Sequence, residues 1–122
     1  MSIPSFDPER NYLVYILDMI EAIKLIEHYV ESVPEVQFSQ DQALQDAVVH
    51  RVQIIGEAAG KIPKEIREKF PNTPWQQIVA MKNLIIHDYA HVDEREVWRV
   101  VHADLPTLKP QLQAVKLLLE KK

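Results

Sequence analysis

Residues 48–59 read VVHRVQIIGEAA, an almost unbroken apolar surface interrupted only by His50, Arg51, Gln53 and Glu57. With Ser39 or Asp41 as N-cap and Gly60 near its end as a C-cap, the stretch reads as the interior of a central helix. Gly56 costs a helix roughly 1 kcal/mol relative to alanine. A glycine kept there predicts that a neighbouring helix crosses closely at that point.

The rest of the chain follows the same pattern. Its 122 residues hold only 2 glycines and 8 prolines, a composition of helices divided by proline rather than of hairpins, which need glycine or Asn-Gly turns. Asp7 and Pro8 open a first helix that runs to about Ser32, with a core-facing stripe of Leu13, Ile16, Leu17, Ile20, Ile23, Leu25 and Ile26. A short helix starts at Pro63 and stops before Pro71. Thr73 is expected to cap the next, with Pro74 at its first position, and that helix runs from Trp75 to about His91. Asp93 opens the last helix, whose apolar face is Val97, Trp98, Val100, Val101, Leu105 and Leu108 and which Pro106 and Pro110 are expected to kink or divide. The expected fold is all-α: an antiparallel helical bundle of about four long helices and one short one, in a single domain over 1–122. Trp75 and Trp98 read as core anchors.

Composition narrows the function. Without cysteine there is no disulfide framework, thiolate metal site or cysteine nucleophile. The acidic N-terminal region does not read as a signal peptide and no window reads as a membrane span, which makes a cytoplasmic setting the default expectation. The formal charge of −4 argues against a generic nucleic-acid coat. It is unevenly spread, however: residues 1–60 hold 3 Lys/Arg against 10 Asp/Glu, and residues 61–122 hold 11 against 8. The second half could meet phosphate locally. Within it Lys61, Lys64, Arg67 and Lys69 form a basic run that Glu65 and Glu68 dilute, so a solvated face is the first reading.

Residues 80–93, AMKNLIIHDYAHVD, set Lys82, Asn83, His87 and Tyr89 within eight positions. On an ideal helix Lys82 and Tyr89 lie nearly in line, but His87 is rotated by about 140° from Lys82. Either the helix distorts near His87, or two copies bring the cation and the imidazole together across a two-fold axis. His87 and His91 share a helix face, yet the glutamate of a zinc-binding H-E-x-x-H is absent, since Asp88 follows His87. A phosphohydrolase of the His-Asp metal type would need further ligands, and His50 and Asp104 lack a supporting motif. No metal and no cofactor are expected. Arg51 and Glu57 are supporting candidates, although a structural ion pair with helix partners ranks first.

The stretch PWQQIVAMKNLIIHDYAHVDEREVW, with AVVHRVQIIGEAAGKIP upstream, resembles the HepT-like toxins of the HEPN (higher eukaryotes and prokaryotes nucleotide-binding) superfamily, whose signature is R-x-x-x-x-H-x-Y. The resemblance spans roughly residues 7–115. It implies a metal-independent endoribonuclease toxin of a type II toxin–antitoxin pair, active on RNA as a homodimer with the motif in a cleft between protomers. It also implies a partner, an MntA-like nucleotidyltransferase antitoxin that moves AMP from ATP onto the motif tyrosine. In this chain the histidine is His87, the tyrosine Tyr89 and the polar residue after the motif cation Asn83, with Asp88 a possible support. The arginine position holds Lys82.

RNA cleavage through its own 2′-OH needs a base of near-neutral pKa and a cation for the phosphorane charge. His87 would take the proton, while Lys82 and Asn83 would hold the phosphate. Lysine keeps the charge of arginine but offers a point where arginine offers a planar fork. A non-catalytic HEPN module that binds a nucleotide or the nucleotidyltransferase is the alternative reading.

Overall fold

The computed structural model describes residues 8–86 and 93–121, with side chains for 12–83 and 93–121. Four long helical runs carry the fold: α1 (Pro8–Val30), α3 (Gln42–Gly60), α5 (Trp75–Ile86) and a continuous run made of α6 (Glu94–Arg99), a π-helical turn (Val100–Asp104) and α7 (Leu105–Glu120). Two single-turn helices, α2 (Glu35–Phe38) and α4 (Lys64–Arg67), lie in the connections. No strand occurs among the described residues. The expected all-α bundle is therefore present, with α2 as a second short helix beyond the one expected.

Proline and aspartate set the boundaries. Pro34 sits ahead of α2 in extended geometry, and its carbonyl accepts from the N–H groups of Gln37 and Phe38, which turns Phe38 into the core. Asp41, rather than Ser39, caps α3 by accepting the Leu44 N–H at 3.0 Å. Asp93 caps α6 as expected, with Oδ1 accepting from Arg95 N–H at 3.0 Å and Glu96 N–H at 3.4 Å. The two proline starts move by one position. Pro63 and Pro74 stand just outside α4 and α5, where their carbonyls accept the first helical bonds, and Thr73 is buried behind Pro74. A proline there loses nothing, because its missing N–H has no intrahelical acceptor. At the other ends, α1 stops at Val30 with Ser32 in the left-handed region (φ 61°), and α3 ends through Lys61 at φ −87°, so Gly60 is its last helical residue and not a left-handed cap.

Pro106 and Pro110 neither stop nor divide the last run. Pro106 cannot donate to the preceding turn, and just before it Leu105 N–H reaches back five residues to the Val100 carbonyl, which opens the π turn. Buried Val97, Val101 and Leu105 are spaced by two four-residue steps, which on an ideal α-helix would drift by about 80°. The wider turn takes up that drift and keeps all three on the core.

α1 packs on α3 and α7, and α3 packs on α5. Their inward faces form one apolar cluster that includes Ile16, Met19, Ile23, Ile26, Val52, Ile55, Ile78, Leu105 and Leu112. Of the expected α1 stripe, Leu17 is exposed and Leu13 and Leu25 are half-buried; Met19, Ala22 and Val30 complete the buried face instead, as three- and four-residue steps from Ile16 require. Trp75 is buried, whereas Trp98 is half-buried, tilted against Phe38 and stacked on His102. Lys109 Nζ donates to Glu27 Oε1 at 2.8 Å and ties α7 to the end of α1.

Candidate functional site

Lys82 is the one charged side chain in the α5 sequence WQQIVAMKNLII. Trp75, Ile78 and Met81 turn that helix onto the core, and Lys82, four residues after Ile78, lies half-buried at the edge of this face; Asn83 is exposed. The predicted close crossing at Gly56 falls on Lys82 itself. A Cβ built on Gly56 would lie 2.9 Å from the Lys82 Cβ, 3.2 Å from its backbone nitrogen and 3.3 Å from the Ile78 carbonyl oxygen. Real Cβ atoms essentially never approach as closely as 2.9 Å, so α3 and α5 meet backbone to backbone where the motif cation begins.

The remaining candidates separate. His87, Asp88 and Tyr89 lie outside the described residues. Arg51 is half-buried on α3, five residues before Gly56 and so about 140° around an ideal helix from it. Glu57 is exposed beside Tyr15 and Asp18 in a shallow 170 Å³ depression on the α1 side of α3. Among the described residues neither Arg51 nor Glu57 makes an ion pair, so the expected structural pair with a helix partner is not seen there. No group of three or more His, Asp or Glu side chains gathers among the described residues.

Two features were not read from the sequence. Arg67, part of the basic run, is engaged internally: Nε donates to the Ile62 carbonyl and Nη2 to the Ala59 carbonyl, both at 2.8 Å, and its guanidinium carbon lies 5.9 Å from the centre of the Trp75 ring. A groove of about 440 Å³ separates α5 from the last helical run, floored by Ile78, Met81, Val100 and Leu108. Arg99 at this groove pairs with Glu96 at 2.6 Å and Asp104 at 3.2 Å. Hydrogen bonding by Arg99, reinforced by its charge, holds the Glu96 carboxyl below its ordinary range, and Glu96 with Asp104 raises the Arg99 guanidinium still further above its own. An arginine eight residues before a tryptophan that opens a helix was the weak sequence signal for the first feature; the groove had none.

Comparison with known proteins bears on the same region. A family described as "Ribonuclease HepT-like" matches residues 19–115. A Methanocaldococcus jannaschii protein, named as a gamma-glutamylcyclotransferase and candidate RNase, is 38% identical over 112 residues, covering 92% of this chain and 50% of its own length. The chain thus spans about half of that relative. A candidate ribonuclease HepT of Thermococcus cleftensis is 34% identical over 108 residues, covering 88% of this chain and 98% of that protein. A candidate RNase of Caldanaerobacter subterraneus is 38% identical over 106 residues, covering 87% and 92%. No solved structure gives a significant match.

Proposed function

From the premise that this chain belongs to the HepT-like ribonuclease family of the HEPN superfamily, we propose that it is a metal-independent endoribonuclease toxin of a type II toxin–antitoxin pair. The observation that carries this reading is the family match across residues 19–115, with Lys82, Asn83, His87 and Tyr89 at the motif positions. His87 takes the proton of a ribose 2′-OH. The 2′ oxygen then bonds to phosphorus as the bond to the 5′ oxygen breaks, which leaves a 2′,3′-cyclic phosphate, and the departing oxygen recovers a proton from the imidazolium. Lys82 and Asn83 hold the phosphate while charge develops on it. Arg51, Glu57 and Asp88 are supporting candidates at most.

A homodimer brings Lys82 of one protomer to His87 of the other, which answers the helical offset between them; sedimentation at micromolar concentration should show a dimer. The neutralising partner is a nucleotidyltransferase. The Tyr89 hydroxyl attacks the α-phosphorus of ATP, pyrophosphate leaves, and the resulting adenylyl group puts bulk and negative charge where RNA must lie. The central test is cleavage of a labelled RNA by the parent and by His87→Ala. Loss of a general base should slow the reaction by about 100- to 10,000-fold, with the helical content unchanged and EDTA without effect. Cleavage that persists in the variant removes His87 from the mechanism.

One observation favours a second reading. Lys82 replaces an arginine fork with a point charge, which suits a HEPN module that binds the nucleotidyltransferase or a nucleotide without cutting RNA. A parent protein inert on RNA that still forms the partner complex would select that reading.

A further inference from the structure

We infer that Gly56 is a positioning residue for Lys82: by letting the backbones of α3 and α5 touch, it fixes where the motif cation leaves its helix. The role given to Lys82 rests on the ribonuclease reading, but the contact does not. Glycine in a helix interior is unfavourable by about 1 kcal/mol, so the position needs a reason. The chain's other glycine, Gly60, has nothing within 4 Å of where its Cβ would be. At Gly56 the nearest atoms are the Lys82 Cβ, the Lys82 nitrogen and the Ile78 carbonyl oxygen. Two of these are backbone and one is the root of a side chain, so none can swing aside as the tip of a flexible side chain could. A methyl group at Gly56 therefore pushes α5 as a body, or rotates it, and moves Lys82 with it.

The same contact accounts for the half-burial of a lysine in an otherwise uncharged helix. With its Cα and Cβ pinned at the crossing, the lysine explores fewer positions than one on an open helix face, and its ammonium is delivered from a fixed root. This matters more for lysine than for arginine, because a single point charge has no fork to align itself on a phosphate. The backbone supplies the orientation that the side chain lacks.

The test is a double-mutant cycle in single-turnover RNA cleavage with the parent, Gly56→Ala, Lys82→Met and the double variant, and with Gly60→Ala as a control for helix propensity. A displaced cation should cost about tenfold or more, since an ångström of misplacement can cost about 100-fold. In the Lys82→Met background the same glycine change should cost less than about twofold, because the group it positions is gone. Equal losses in both backgrounds, or parental cleavage by Gly56→Ala, would overturn the inference. A second readout works even if the parent does not cut RNA: the rate at which an amine-directed reagent modifies Lys82, mapped by peptide mass spectrometry against Lys61 and Lys64. Gly56→Ala should change the Lys82 rate alone, and an unchanged rate refutes the positioning role whatever the activity. Should Gly56→Ala fail to fold, adding Lys82→Gly removes the shortest of the three contacts and leaves the two backbone contacts at 3.2 and 3.3 Å, so part of the helical signal should return; no recovery at all places the constraint elsewhere and refutes the inference.

Discussion

Replacing Arg67 by methionine removes a guanidinium that joins three elements while leaving most of the aliphatic stem. The group donates to the Ala59 and Ile62 carbonyls at 2.8 Å each and lies over Trp75, whose own Nε1 donates to the Phe70 carbonyl at 3.2 Å. It thus binds the end of α3, the turn after it and the first residue of α5. Hydrogen bonds from a charged donor contribute roughly 1.5–3 kcal/mol each, and a partly solvated cation beside an aromatic ring roughly 0.5–1 kcal/mol. These do not add fully. One guanidinium serves all three contacts, it is only half-buried, and the Ala59 oxygen keeps the Ile62 N–H at 3.2 Å after the arginine is gone. The expected loss is about 2–3 kcal/mol, carried mainly by the Ile62 carbonyl left without its donor.

Urea unfolding followed by circular dichroism, at one protomer concentration for both proteins, measures it. With a slope of about 1–3 kcal/mol per molar urea, the midpoint should fall by about 1 M. Arg67→Lys should recover only part, since one ammonium cannot serve both carbonyls in the same geometry. A midpoint within about 0.2 M of the parent would refute the staple. If Arg67 instead meets RNA phosphate, the salt dependence of RNA binding should weaken by about one unit of slope in Arg67→Met; the staple predicts no change.

Asp93→Ala removes the acceptor for the N–H groups of Arg95 and Glu96 and should cost about 1 kcal/mol, read as an earlier thermal transition; an unchanged transition would show that α6 needs no cap. Glu96→Gln should be less stable than the parent at neutral pH, with a gap that narrows as pH falls. The Glu96 carboxyl lies below its ordinary range because of Arg99, so its contribution is present above the unfolded carboxylate pKa and is lost as pH drops through the lowered folded value. Arg99 is shifted upward, so its contribution holds below the ordinary guanidinium range and fades only at extreme alkaline pH. A gap that stays constant from neutral to strongly acidic solution would contradict the assignment.

The parts of the fold legible in the sequence were those set by local chemistry. Asp93 was readable as a cap because its carboxylate serves N–H groups two and three residues on, and the long α1 because its apolar side chains repeat every three or four residues. The points left open were local too, but they depended on competition between neighbours. Ser39 and Asp41 were both competent caps for α3, and Ser39 Oγ instead donates back to the Val36 carbonyl at 2.8 Å. That bond closes α2, which was itself unread because four residues are too few to display a period. Proline disrupts an α-helical ladder, so Pro106 and Pro110 read as sites that kink or divide the last helix; the chain opens one π turn ahead of them and is not divided.

The site was legible to a different degree. The types and order of Lys82, Asn83, His87 and Tyr89 are visible as a motif, and the motif needs no tertiary information to be noticed. What a motif cannot carry is the contact that gives one of its members a fixed root. Gly56 precedes Lys82 by 26 residues, and its helix penalty announced that something approaches without naming what. Only the packing of α3 on α5 supplies the partner. Helix propensity is a property of one residue, whereas helix crossing is a property of two surfaces that meet only after the turn containing Arg67 has set the direction of α5. A change in that turn should therefore reach Lys82 without touching it. If Arg67→Met lowers stability yet leaves the amine reactivity of Lys82 unchanged under native conditions, the crossing at Gly56 is fixed by its own packing; if reactivity moves with it, the staple and the crossing act as one unit.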